Sequence, residues 1–116
     1  MSEALLIDVG GRTRFTPGEA VEVAVGWDLP AAPDELVLGL VWSTSGRGRT
    51  NRRAAHRKRW SGGLAAAGAE VVRWEMPLGP HTHEGVLVSV GWAFRLVGPE
   101  RRRVELPVVL RPAEPE

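Results

Sequence analysis

Seven cations and no acid lie between Arg47 and Arg59: Arg47, Arg49, Arg52, Arg53, Arg57, Lys58 and Arg59, with Trp60 closing the run. Side chains of this kind at this density bind anions. Arginine forks match carboxylate and phosphate two bonds at a time, and clustered cations displace counterions from a nucleic-acid backbone. Against an acidic lipid surface each basic residue contributes about 1 kcal/mol. Trp60 would add a stacking platform for a base if it were exposed, and a Trp ringed by arginine has the composition of a binding hot spot. The opposing reading is structural. A turn followed by an edge strand carries positive side chains because they discourage sheet-to-sheet aggregation, and acids elsewhere neutralise them. Alternation along such a strand places Ala54, His56, Lys58 and Trp60 on one face and Arg53, Ala55, Arg57 and Arg59 on the other. Fourteen of the fifteen basic residues are arginine, a bias that a GC-rich genome also produces.

Other chemistry is thinly supplied. His81 and His83, with Glu84 beside them, put two imidazoles on an extended segment as some metal sites require, but the third ligand would have to be His56 from across the fold; the expectation is no metal and no cofactor. Ser43, Ser45, Ser61 and Ser89 sit in no Gly-x-Ser-x-Gly elbow. Gly46-x-Gly48 lacks the third glycine of a dinucleotide loop, and no Gly-Lys-Ser/Thr phosphate loop occurs. The chain has no cysteine, which removes a disulfide framework, a thiolate nucleophile and a cysteine zinc site. The expectation is a protein that is not an enzyme.

Strands must position the basic run. Val21, Val23, Val25 and Trp27 alternate with Glu22, Ala24, Gly26 and Asp28, the pattern of a strand with one buried face. Val86, Val88, Val90, Trp92, Phe94 and Leu96 repeat it over a longer span, and Val104, Leu106, Val108 and Leu110 repeat it again, with Pro107 marking an edge or a bulge. Val72, Trp74 and Met76 alternate more weakly, and Leu5, Ile7 and Val9 begin the series. Leu36 to Trp42 is almost continuously apolar, as in a central strand enclosed on both sides. Gly10-Gly11, Pro17-Gly18, Gly79-Pro80 and Gly98-Pro99 punctuate these runs. The alanine-rich stretch from Leu64 to Ala69 is too short for more than one helical turn. Of the tryptophans, Trp27, Trp42, Trp74 and Trp92 are core candidates and Trp60 is the exception. Seven or eight short strands in 116 residues predict an all-β fold, an antiparallel immunoglobulin-like sandwich. Residues 1–111 are expected to form one such domain and 112–116 a frayed acidic, proline-rich tail.

The charge total of +1 hides an asymmetry. Setting aside the seven cations of the basic run leaves eight basic against fourteen acidic residues, so the rest of the chain carries −6. Local fields decide what such a surface attracts. With no apolar run long enough to span a bilayer and no basic leader at its start, the chain reads as cytoplasmic.

The order of turns and strands resembles the N-terminal sandwich of the arrestin-like superfamily over roughly residues 13–98. Phe15-Thr16-Pro17-Gly18-Glu19 before Val21, Val23 and Val25 resembles the turn that opens a strand there, and Trp42-Ser43-Thr44-Ser45-Gly46 the end of the next strand. Pro80-His81-Thr82-His83-Glu84-Gly85, with Trp92 seven residues beyond the glycine, is similar to that family's Pro-x-Ser/Thr-x-x-Gly turn and the aromatic on its long strand. The resemblance implies a non-catalytic adaptor or scaffold. The chain departs from arrestins in carrying one sandwich where they have two, and it has no tyrosine for a Pro-Pro-x-Tyr signal. The expected function is a protein-interaction module whose partner is a protein, with a homodimer by pairing of exposed sheet edges as one form. The alternative is a polyanion-binding protein, docking nucleic acid or acidic lipid on residues 47–59.

Overall fold

The computed structural model describes residues 4–46, 49–82 and 89–112. Eight strands run in chain order: β1 (Ala4–Asp8), β2 (Arg14–Phe15), β3 (Ala20–Asp28), β4 (Glu35–Gly46), β5 (Arg49–Ser61), β6 (Ala67–Glu75), β7 (Ser89–Val97) and β8 (Arg103–Leu110). They form two sheets, one in the order β1-β3-β6 and one in the order β2-β8-β7-β4-β5. Every pairing is antiparallel except that of β2 with β8. The fold is an all-β sandwich.

Alternation explains the core. Val21, Val23, Val25 and Trp27 point inward from β3, facing Leu36, Leu38 and Leu40 of β4, Trp92, Phe94 and Leu96 of β7, and Val108 and Leu110 of β8. No polar or charged side chain is buried among the described residues. Pro107 sits where β2, which pairs only with Val109 and Leu110, leaves the outer side of β8 open, so its missing N–H costs nothing. The alanine-rich stretch is not a helical turn. Ala67, Gly68 and Ala69 begin β6, paired with Asp28, Trp27 and Gly26, and the indole of Trp27 lies over Gly68 while donating to the Ala65 carbonyl at 2.9 Å. A large ring seeking cover has drawn this segment into the sheet.

The Pro17-Gly18 turn is fixed from several directions. Gly18 has φ of 81°, the left-handed region glycine favours, and its N–H donates to the Met76 carbonyl. The Thr16 N–H donates to Glu19 Oε1, and Arg12 grips both carboxylate oxygens at 2.8 and 3.0 Å while lying 4.5 Å over the Phe15 ring. The Arg12 hydrogen bonds hold the Glu19 carboxyl below the usual carboxylate range against the opposing effect of desolvation. The folded state therefore releases this proton more readily than the unfolded chain does. The resulting stability is complete above the ordinary carboxylate range and declines as pH falls through it. Arg12 is half-exposed, so Glu19→Gln should cost only about 1 kcal/mol near neutral pH. Urea melts of parent and variant should converge as pH falls from about 5 to about 3; a gap independent of pH would contradict the assignment.

The second half of the molecule's turn signals is pinned by side chains. Trp92 Nε1 donates to the Pro80 carbonyl at 2.6 Å, and Thr82 exchanges two hydrogen bonds with the backbone of Leu110. The remainder of that motif, His83 to Gly85, lies outside the described residues, as does the start of the expected long strand. So do residues 113–116 of the expected tail.

Candidate functional site

β4 and β5 form a long hairpin that places the basic run at the edge of the five-stranded sheet. Its register shifts once. Leu40 pairs with His56 but Val41 pairs with Ala54, so Ala55 is the extra residue of a β-bulge. A bulge exchanges the two faces of everything beyond it. Strict alternation therefore fails at this point: Ala54 lies on the face of Arg57 and Arg59, and Arg53 lies opposite Trp42 on the core-facing side. Arg52 joins Arg57 and Arg59 on the outer face instead.

The basic run is thus divided. Arg52, Arg57 and Arg59 look outward from the sandwich. Arg53, Lys58 and Trp60 share the inward side with His56, and Trp60 packs against the core rather than standing exposed. His56 stacks on Trp74 at 5.1 Å, and its Nε2 donates to the Glu75 carbonyl at 2.7 Å, tying β5 to β6 across the two sheets. No group of three His, Asp or Glu side chains able to hold a metal is present among the described residues. Arg47 lies outside the described residues, and of Arg49 only its place in β5 is described.

Cross-strand register assembles the outer face in rows. Arg103, Val97, Val37 and Arg59 form one row across β8, β7, β4 and β5; Glu105, Arg95, Gly39 and Arg57 form the next. Pro107, Ala93, Val41 and Ala54 form the third. The centre is a shallow trough of about 280 Å³ floored by valine, glycine and alanine and bordered by Arg57, Arg59 and Arg95. Leu36 to Trp42 is central, with β5 and β7 at its two edges, but it is not enclosed on both sides as its composition leads one to expect, because only one of its faces is covered. Val37 and Val41 belong to the open one.

Electrostatics on this face are uneven. Six arginines (Arg14, Arg52, Arg57, Arg59, Arg95 and Arg103) stand against two glutamates (Glu35 and Glu105) among the described residues, leaving +4. Arg52 lies flat over the small residues Gly91 and Ala93 to reach Glu105 at 3.2 Å, and Arg59 meets Glu35 at 3.5 Å. Arg95 Nε is 3.7 Å from the same Glu105, an ion pair too long for a hydrogen bond, and this buried N–H has no acceptor. Arg57 and Arg103 have no ion-pair partner among the described residues. The arrangement can accept an anionic group over an apolar floor. Sequence reasoning missed Arg95, Arg103 and the floor. Their signals were a lone cation on the outward side of a long alternating run and a central strand that is apolar on both faces, leucine inward and valine outward.

No family model and no curated protein matches the sequence. Among solved structures, Spo0M, a sporulation control protein from Bacillus subtilis, superposes with a TM-score of 0.65 at 13% sequence identity, over 97% of this chain and 51% of that one. The chain spans about half the length of that protein. No helix among the described residues is long and apolar enough to cross a membrane. Spo0M has an arrestin-like fold, and the likeness shows the fold of this chain to be of that architecture.

Proposed function

We propose that the chain is a non-enzymatic interaction module that receives a protein partner on the arginine-rimmed outer face of its five-stranded sheet. The observation that carries this reading is a half-buried valine floor bordered by Arg57, which has no ion-pair partner among the described residues, and by Arg95, whose Nε has no acceptor. Burying that floor gives affinity at roughly 25 cal/mol per Å², while the arginines supply orientation and selectivity for acidic groups. The solved structure it resembles is of a control protein, in keeping with regulation by contact. Nucleic acid or lipid is served less well: phosphates have no use for valine, and Trp60 is turned toward the core.

A pull-down tests this with tagged chain and a nuclease-treated native extract containing untagged copies, washed at physiological salt. The parent should retain a defined protein, either another polypeptide or the untagged chain. Arg57→Ser with Arg59→Ser should reduce retention at least tenfold. Capture abolished by nuclease or by moderate salt would favour the polyanion reading, and capture indifferent to both substitutions would refute the proposed face.

A further inference from the structure

The opposite broad face of the sandwich is the near-negative of the arginine-rimmed one. Register across β1, β3 and β6 aligns Leu6 with Gly26 and Ala69, and Ala24 with Val71, giving a flat apolar centre. Leu6 and Val71, midway along the two edge strands, are 60% and 61% exposed, the kind of large apolar exposure that marks an interaction surface when it is contiguous. Asp8, Glu22, Asp28 and Glu75 surround them with Arg73 as the one cation on that face among the described residues, leaving −3 where the other face carries +4. Glu22, Asp28 and Glu75 have no ion-pair partner among the described residues.

We infer that the acid-rimmed outer face of the three-stranded sheet in one copy docks on the arginine-rimmed outer face of the five-stranded sheet in the next, so that the chain self-associates head to tail. This rests on the proposed function and names its partner as a second copy. Apolar centre meets apolar floor, and each rim faces the opposite charge. The three-stranded face sets the size. Its strands of five, nine and nine residues, about 4.8 Å apart and rising about 3.3 Å per residue, offer on the order of 450 Å². That is below the roughly 800 Å² per partner of a standard interface, so the contact is a weak one that fills only at high concentration. Because the two faces lie on opposite sides of one molecule, the contact is heterologous and the stack stays open-ended. Edge-to-edge pairing of β5 with its own copy is disfavoured, since it would set arginine against arginine beside a bulge.

Sedimentation velocity from about 1 µM to about 500 µM tests it. The average mass should climb past that of a dimer with concentration at low salt, and fall back as salt rises from about 0.05 to about 0.5 M. Arg57→Glu with Arg59→Glu should weaken association at least tenfold, as should Glu22→Lys with Asp28→Lys. Serine at Arg57 and Arg59 should also weaken association at least tenfold, and glutamate should weaken it further. An equimolar mixture of the two reversed variants should associate again, each offering the face the other needs, which also shows both to be folded. A parent monomeric throughout, assembly halting at a dimer, reversed variants that associate like the parent, or a mixture that stays apart would each overturn the inference. A monomeric parent whose extract capture still needs Arg57 and Arg59 overturns the stacking and leaves the interaction face standing. Stacking and capture both indifferent to those residues remove both.

Discussion

Phe94→Ala should lose about 3–5 kcal/mol of folding stability, a large part of the roughly 5–15 kcal/mol available to a small domain. Phe94 has no solvent exposure and sits at the middle of β7, between β4 and β8. It meets Phe15 edge-on at 6.0 Å and stacks near Trp74 at 6.5 Å. Those rings come from different sheets, so no single strand can shift to fill the space. The loss includes both the transfer of the ring and a cavity that relaxes little. Guanidinium melts should show the midpoint displaced with the slope retained, and the thermal midpoint should drop by on the order of 15 °C. A cost below about 1 kcal/mol would mean that the two sheets do not close on this ring.

Gly68→Ala should destabilise by about 1–3 kcal/mol, with a sign opposite to that expected from chain entropy. In an extended position at the surface, replacing glycine by alanine ordinarily stabilises by about 0.4–1 kcal/mol. Here the added Cβ would stand 2.6 Å from Cζ2 of Trp27 and 3.1 Å from two further ring atoms. The indole cannot yield freely, because it is buried and its Nε1 is bonded to the Ala65 carbonyl. Urea melts give the sign, and the Trp fluorescence of the variant should shift as the ring is displaced. A variant more stable than the parent would contradict the packing of Trp27 on β6.

The sandwich was readable because alternation carries its own physics. Val21 to Trp27 and Trp92 to Leu96 can bury one face only as strands, and their buried residues are those the period selects. Phe15 to Glu19 was readable as a turn, and Glu19 proves to be the acceptor that closes it. The bulge at Ala55 was not readable, since no local residue announces it; two alanines leave the position of the extra residue to the packing of His56 against Trp74. That single insertion decides which cations act together, so the basic run was visible as a composition but its faces were not. Arg95 and Arg103 were invisible as members of the site because they reach it through sheet order, from strands distant in sequence. Ala67 to Ala69 was misleading for a related reason: tertiary cover for Trp27 outweighed alanine's local preference.

Two double substitutions on the one strand test whether the outer face is the docking surface. Arg57→Ser with Arg59→Ser and Arg53→Ser with Lys58→Ser each remove two positive charges from β5, on opposite sides of it. Measured side by side in the same capture at physiological salt, the first pair should reduce retention of the bound protein at least tenfold and the second should leave it within about twofold of the parent. Equal losses from both pairs would show that total charge, not the face, governs binding, and would contradict the account.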